Sequence, residues 1–260
     1  MLTILGVLFL GLFYTWAPYL IGMELQKYFF LFTGTLIQEK FSVPIYTVMH
    51  FLIIFLSIKL LKIQNQRDTE IISKKFLLIV ISMCAFSVAA NITFNLVAYY
   101  FFNDYHIYLY SISYSPIIYS GEGFDIRANI ENFFLYCVLA PIVEELFYRR
   151  TLFQFVHQRF GFLISALISS VFFAAIHSVY VIPFLLSVIL CFIYKRYGLR
   201  GAILAHAAHN ITYYIGEFSY TAIKGYELTI VSKLNPVNTG MLILSSFIVI
   251  VCLVNYMKYE

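Results

Sequence analysis

Apolar runs recur along this chain, each long enough to cross a bilayer as a helix. About 20 helical residues cover roughly 30 Å of hydrocarbon. Marked off one after another, such runs place spans at 2–22, 44–61, 76–101, 132–156, 162–180, 181–196, 201–217 and 239–257. Pro and Gly interrupt several of them, which membrane helices tolerate when neighbours satisfy the freed backbone groups. With 12% charged and 62% hydrophobic residues, the chain lies far from the roughly 25% charged residues of soluble domains. The expected fold is all-α: a polytopic membrane protein of about eight transmembrane helices.

Loop charge sets the expected orientation. Lys59, Lys62, Arg67, Lys74, Lys75, Arg149, Arg150, Arg159, Lys195, Arg196, Arg200 and Lys258 fall to one face, and Lys27, Lys40, Arg127, Lys224 and Lys233 to the other. Basic residues are held back from translocation, so twelve against five puts both termini in the cytosol. The net charge of +4 is too small and too dispersed for a nucleic-acid partner. Cys84, Cys137, Cys191 and Cys252 all lie in apolar runs and form no CxxC motif, so neither a disulfide framework nor a cysteine metal site is expected. The first run lacks a basic leader and is expected to be retained. The segment 102–131 carries Tyr105, Tyr108, Tyr110, Tyr114 and Tyr119, which suits the membrane interface, and is expected to be an extracytoplasmic loop.

Against this apolar background, Pro141-Ile-Val-Glu144-Glu145-Leu-Phe-Tyr-Arg149-Arg150 places two adjacent carboxylates inside a span. Ionisable groups at that depth are costly and point to function. Glu145 and Arg149 stand at i, i+4 and are expected to form a structural ion pair. Glu144 points about 100° away, where nothing local neutralises it. The next span ends on Phe173-Ala-Ala-Ile-His177. If the two helices form a hairpin folded about residue 160 or 161, Glu144 and His177 lie about 16 residues either side of the fold, at one depth. Ser170 and Ala174 are small residues near that face. His206 and Asn210 share a face of the 201–217 helix, with His209 about 60° to one side. Asn91 and Asn95, also at i, i+4, suit an interhelical hydrogen bond or a polar cavity wall.

Glu144, His177, His206 and Asn210 are the candidate catalytic residues. A carboxylate can act as general base on water, with an imidazole holding the water or shuttling the proton. Imidazole and amide donors can stabilise the oxyanion of a tetrahedral intermediate. Glu144, His177 and His206 would equally suit zinc with an open fourth position. No His-Glu-x-x-His pattern is present, and a bound Zn and a metal-free mechanism both remain open. Buried acids and imidazoles can also build a proton-linked carrier, but no inverted repeat accompanies them here.

In order, Glu144-Glu145-x-x-x-Arg149, Phe173-x-x-x-His177 and His206-x-x-x-Asn210 resemble the three motifs of the CAAX-protease and bacteriocin-processing (CPBP, or Abi) intramembrane endopeptidases. The resemblance covers residues 141–210. It implies a membrane endopeptidase in which Glu144 is the general base, His177 its partner in water activation, and His206 and Asn210 the oxyanion stabilisers or metal neighbours. His209 is an imidazole the motif does not require, a substitute ligand or lining. On this reading, 1–131 holds three helices and their loops, 132–217 a four-helix catalytic core, and 218–260 a loop and the last helix. Eukaryotic relatives trim prenylated CAAX proteins; prokaryotic ones are associated with bacteriocin maturation, self-immunity and signalling peptides. The Ile-, Phe-, Tyr- and Lys-rich composition favours a bacterial plasma membrane and a small secreted or signalling peptide over a lipidated protein substrate. The alternative is a non-catalytic immunity protein that sequesters a peptide in the same cavity.

Overall fold

In a computed structural model, the described residues are 73–102, 117, 119–120, 123–177, 179–224 and 236–257, with positions 6, 52, 54, 55 and 59 besides. The spans expected at 2–22 and 44–61 lie outside them apart from those five positions. The chain divides into two compact units, Met1–Gln66 with Val143–Phe172, and Arg67–Ile142 with Phe173–Glu260.

Among the described residues, Lys74–Phe101, Ile126–Ala175, Val181–Ser219 and Thr239–Met257 are long and apolar enough to cross a membrane. Two of these four carry a break. Gly161 (φ 77°, ψ −178°) interrupts the second and Gly198 (φ 74°, ψ −169°) the third. Such dihedrals are essentially confined to glycine, so each turn needs a single residue. The six spans expected between 76 and 257 therefore each fall on a helical segment of their own. Among the described residues the architecture is helical apart from one two-residue antiparallel ladder, β1 (Tyr119–Ser120) with β2 (Gly123–Phe124).

In the second unit, α1 (Lys74–Phe101) begins at Ser73, whose hydroxyl accepts from the Phe76 N–H at 3.1 Å. Phe76, Val80 and Met83 of α1 pack against Leu186, Leu190, Ile193, Tyr197 and Ala205 of α5 (Val181–Lys224). These contacts join α1 to segments on both sides of Gly198. A Cβ on Gly201 would lie 2.5 Å from the Tyr197 Cβ, so a second glycine is needed where the chain restarts after the break. Helix α2 (Ile126–Phe134) starts within the expected loop because Asp125 caps it, accepting from the Ala128 N–H at 3.0 Å. The helix thus begins six residues before the expected 132. Tyr214 of α5 anchors it, donating its hydroxyl to the Asn129 carbonyl at 2.8 Å and meeting the Phe133 ring edge-on at 5.4 Å. Helix α6 (Pro236–Met257) opens on proline, whose missing N–H costs nothing in a first turn.

From α2 the chain passes through a π-helical stretch, Leu135–Leu139, into α3 (Ala140–Glu145), then a second, Leu146–Phe153, and α4 (Gln154–Ala175). The sequence explains the first. Pro141 offers no N–H and crowds the carbonyl four residues back, and the chain shifts register just before it, Ala140 N–H bonding Leu135 O. At the second, the Thr151 hydroxyl donates to the Leu146 carbonyl five residues back, at 2.9 Å.

The first unit contains the expected hairpin. Across Gly161, the Ser169 hydroxyl donates to the Tyr148 carbonyl at 2.8 Å, and Phe162 meets Phe153 at 5.7 Å between ring centroids. Those pairings run antiparallel. Phe147, Tyr148, Leu152, Phe153 and Val156 are buried there.

Candidate active site

The acidic stretch lies in the first unit. Glu145 and Arg149 form the expected ion pair at 3.1 Å, with both side chains wholly buried. Arg149, counted above among the loop cations, is therefore an interior residue; the charge bias keeps its sign without it. Glu144, one residue before the pair, is half-buried. Ser170 is buried on the facing arm of the hairpin.

The imidazoles lie in the second unit, and Phe173 organises two of them. This fully buried ring meets the His177 ring at 4.7 Å and the His206 ring at 5.6 Å between centroids. Helix α4 ends at Ala175, earlier than the expected 180, so His177 sits in a turn beyond the helix. Its own bonds hold it there: the backbone N–H donates to the Ala174 carbonyl at 2.9 Å, and Nδ1 lies 2.8 Å from the Phe173 carbonyl. A carbonyl can only accept, so Nδ1 carries a proton, and in the neutral ring Nε2 is the nitrogen with a lone pair for accepting a proton or binding an ion. The Phe-x-x-x-His spacing thus has a physical content: one residue supplies both a ring to stack on and a carbonyl that fixes the tautomer. His206 is 2% exposed, beside the same phenyl ring.

Asn210 is fixed by a different route. Its Nδ2 donates to the Tyr136 carbonyl at 2.8 Å, while its Oδ1 lies 3.1 Å from His209 Nδ1. His209 Nε2 lies 2.7 Å from the Ser87 hydroxyl of α1. Both nitrogens of His209 are thus engaged by protein groups, which favours the lining role over that of a metal ligand. Pro141, five residues on from Tyr136, has no N–H to offer as a π-turn donor, and the Tyr136 carbonyl accepts from Asn210. Tyr136 and Ser87 were not identified from sequence; the signal for Tyr136 was Pro141.

Asn91 and Asn95 bond within their own helix. Asn95 Nδ2 donates to Asn91 Oδ1 at 2.6 Å and to the Asn91 carbonyl at 3.0 Å. Among the described residues, no group of three His, Cys, Asp or Glu side chains is gathered to hold a metal ion.

Residues 127–212 match the family described as type II CAAX prenyl endopeptidase Rce1-like. All three motifs fall inside the matched segment. No curated protein and no solved structure matches the chain.

Proposed function

With residues 127–212 carrying an Rce1-like CAAX endopeptidase match as the premise, we propose that this integral membrane protein is an intramembrane endopeptidase working by glutamate- and histidine-activated water. The observation that carries the reading is the locked tautomer of His177, which leaves Nε2 as a base on the ring that Phe173 also ties to His206.

Glu144 takes a proton from water as the oxygen adds to the scissile carbonyl carbon. His177 Nε2 holds that water by accepting its second hydrogen. His206 and the Asn210 amide donate to the oxyanion, where a low-dielectric setting strengthens each bond. Collapse of the tetrahedral intermediate breaks the C–N bond, and the proton held by Glu144 passes to the leaving amine. These steps use protein groups and water. If a zinc ion were bound by Glu144, His177 and His206, it would supply Lewis-acid polarisation at the same point.

The substrate is proposed to be a membrane-associated or small secreted or signalling peptide. The protein is proposed to sit in a bacterial plasma membrane with both termini cytosolic. The test is cleavage by the full chain in vesicles of a panel of membrane-tethered and leader-bearing peptides. Glu144→Gln and His206→Ala are each expected to lower kcat by about 10²–10⁴. Unchanged cleavage in both variants would defeat the assignment, and peptide protection surviving Glu144→Gln without cleavage would favour sequestration. Chelator-treated protein is expected to stay active; a loss that zinc restores would bring the three ligands into the mechanism.

A further inference from the structure

We infer that Ser87 and His209 are positioning residues for Asn210, forming a one-way hydrogen-bond relay that keeps the Asn210 amide turned with its N–H groups toward bond acceptors. This rests on the proposed role of Asn210 as an oxyanion donor.

The relay's direction follows from its far end. The Tyr136 carbonyl accepts only, so the group 2.8 Å from it must be the Asn210 NH2. The amide oxygen then faces His209 Nδ1, at 3.1 Å, and since that oxygen also only accepts, Nδ1 bears the proton. Nε2 is left as an acceptor, filled by the Ser87 hydroxyl at 2.7 Å. All three bonds donate the same way, from Ser87 through His209 and Asn210 to Tyr136, an arrangement in which each bond polarises the next.

Catalysis has a use for this constraint. The terminal torsion of asparagine is broad and roughly two-fold, so a half-turn exchanges donor for acceptor. A flipped Asn210 would aim its oxygen at a developing negative charge. The Tyr136 carbonyl opposes the flip from one side and His209 Nδ1–H from the other. Together they commit one amide hydrogen and the oxygen, and leave the second N–H for the oxyanion. Ser87 completes the arrangement by donating to Nε2, which removes the tautomer in which Nδ1 would face the amide oxygen without a proton.

The test uses the full chain in vesicles with a peptide that wild type cleaves. Because the oxyanion exists only on the reaction path, positioning should appear in kcat with KM unchanged. His209→Ala is expected to lower kcat roughly tenfold and Ser87→Ala about threefold, on the scale of weakening one oxyanion donor. His209→Asn, which restores a side-chain N–H toward Asn210, is expected to recover most of the loss. In an Asn210→Ala background, His209→Ala should cost nothing further. A loss repeated in full in that background, or confined to KM, would overturn the proposal. A second readout needs no activity: in 15N-histidine spectra of the purified full chain, assigned with His209→Asn, His209 should be the neutral Nδ1–H tautomer. The Nε2–H form would sink the relay even if the protein cleaves peptides. Wild-type protein without peptidase activity would defeat the endopeptidase reading and leave the tautomer to decide the relay.

Discussion

Glu145 and Arg149 illustrate how unevenly a buried pair responds to change. Removing one member leaves an uncompensated interior charge, at a cost of about 3–5 kcal/mol, whereas replacing both with apolar side chains is often neutral. Arg149→Met is therefore expected to lower the thermal stability of the detergent-solubilised protein sharply, and Glu145→Leu combined with Arg149→Met to recover most of it. Equal losses in the single and double variants would argue against a charge-pair origin. This pair was legible in the sequence because its members are four residues apart. The surroundings of His209 were not: its partner Ser87 lies 122 residues away, and the Tyr136 carbonyl that orients Asn210 lies 74 residues away. No local spacing encodes such contacts.

Helices show the same division between what a sequence states and what only folding supplies. Hydropathy located the six spans between 76 and 257, since apolar length is additive along the chain. It was silent on the two π-helical stretches, which are changes of hydrogen-bond register rather than of composition. It also placed the start of the second described helix too late, because the Asp125 cap sits in a polar stretch that reads as loop. Pro141 ties these points to function. Pro141→Ala restores a backbone N–H that would compete with Asn210 for carbonyl acceptors. It is expected to hold or raise the melting temperature while lowering kcat about tenfold, the usual trade between stability and activity. A variant with both values unchanged would separate the proline from the site. The two glycine turns make a complementary case. Gly161→Ala and Gly198→Ala force a side chain into dihedrals that cost on the order of 1–3 kcal/mol. Gly216→Ala, in open helix, is expected to stabilise by up to about 1 kcal/mol. Thermal unfolding of the three variants should rank them in that way.

For the molecule as a whole, loop charge and thiol placement make orientation testable. A cysteine placed at Gln66, in the basic 62–75 connector, is expected to react with an impermeant maleimide only from the cytosolic side in oriented vesicles. The native thiols should not interfere, because Cys137, Cys191 and Cys252 are buried and Cys84 is partly so. Labelling of Gln66→Cys from the outside would invert the proposed topology. One consequence reaches past orientation. Ser87 belongs to a helix that the family match at 127–212 omits, yet its hydroxyl is hydrogen-bonded to a neighbour of the last motif residue. The smallest transplantable unit is thus larger than the stretch bearing the signature residues, and a chimera that moved only that stretch into a foreign scaffold would carry every hallmark across and leave a supporting hydroxyl behind.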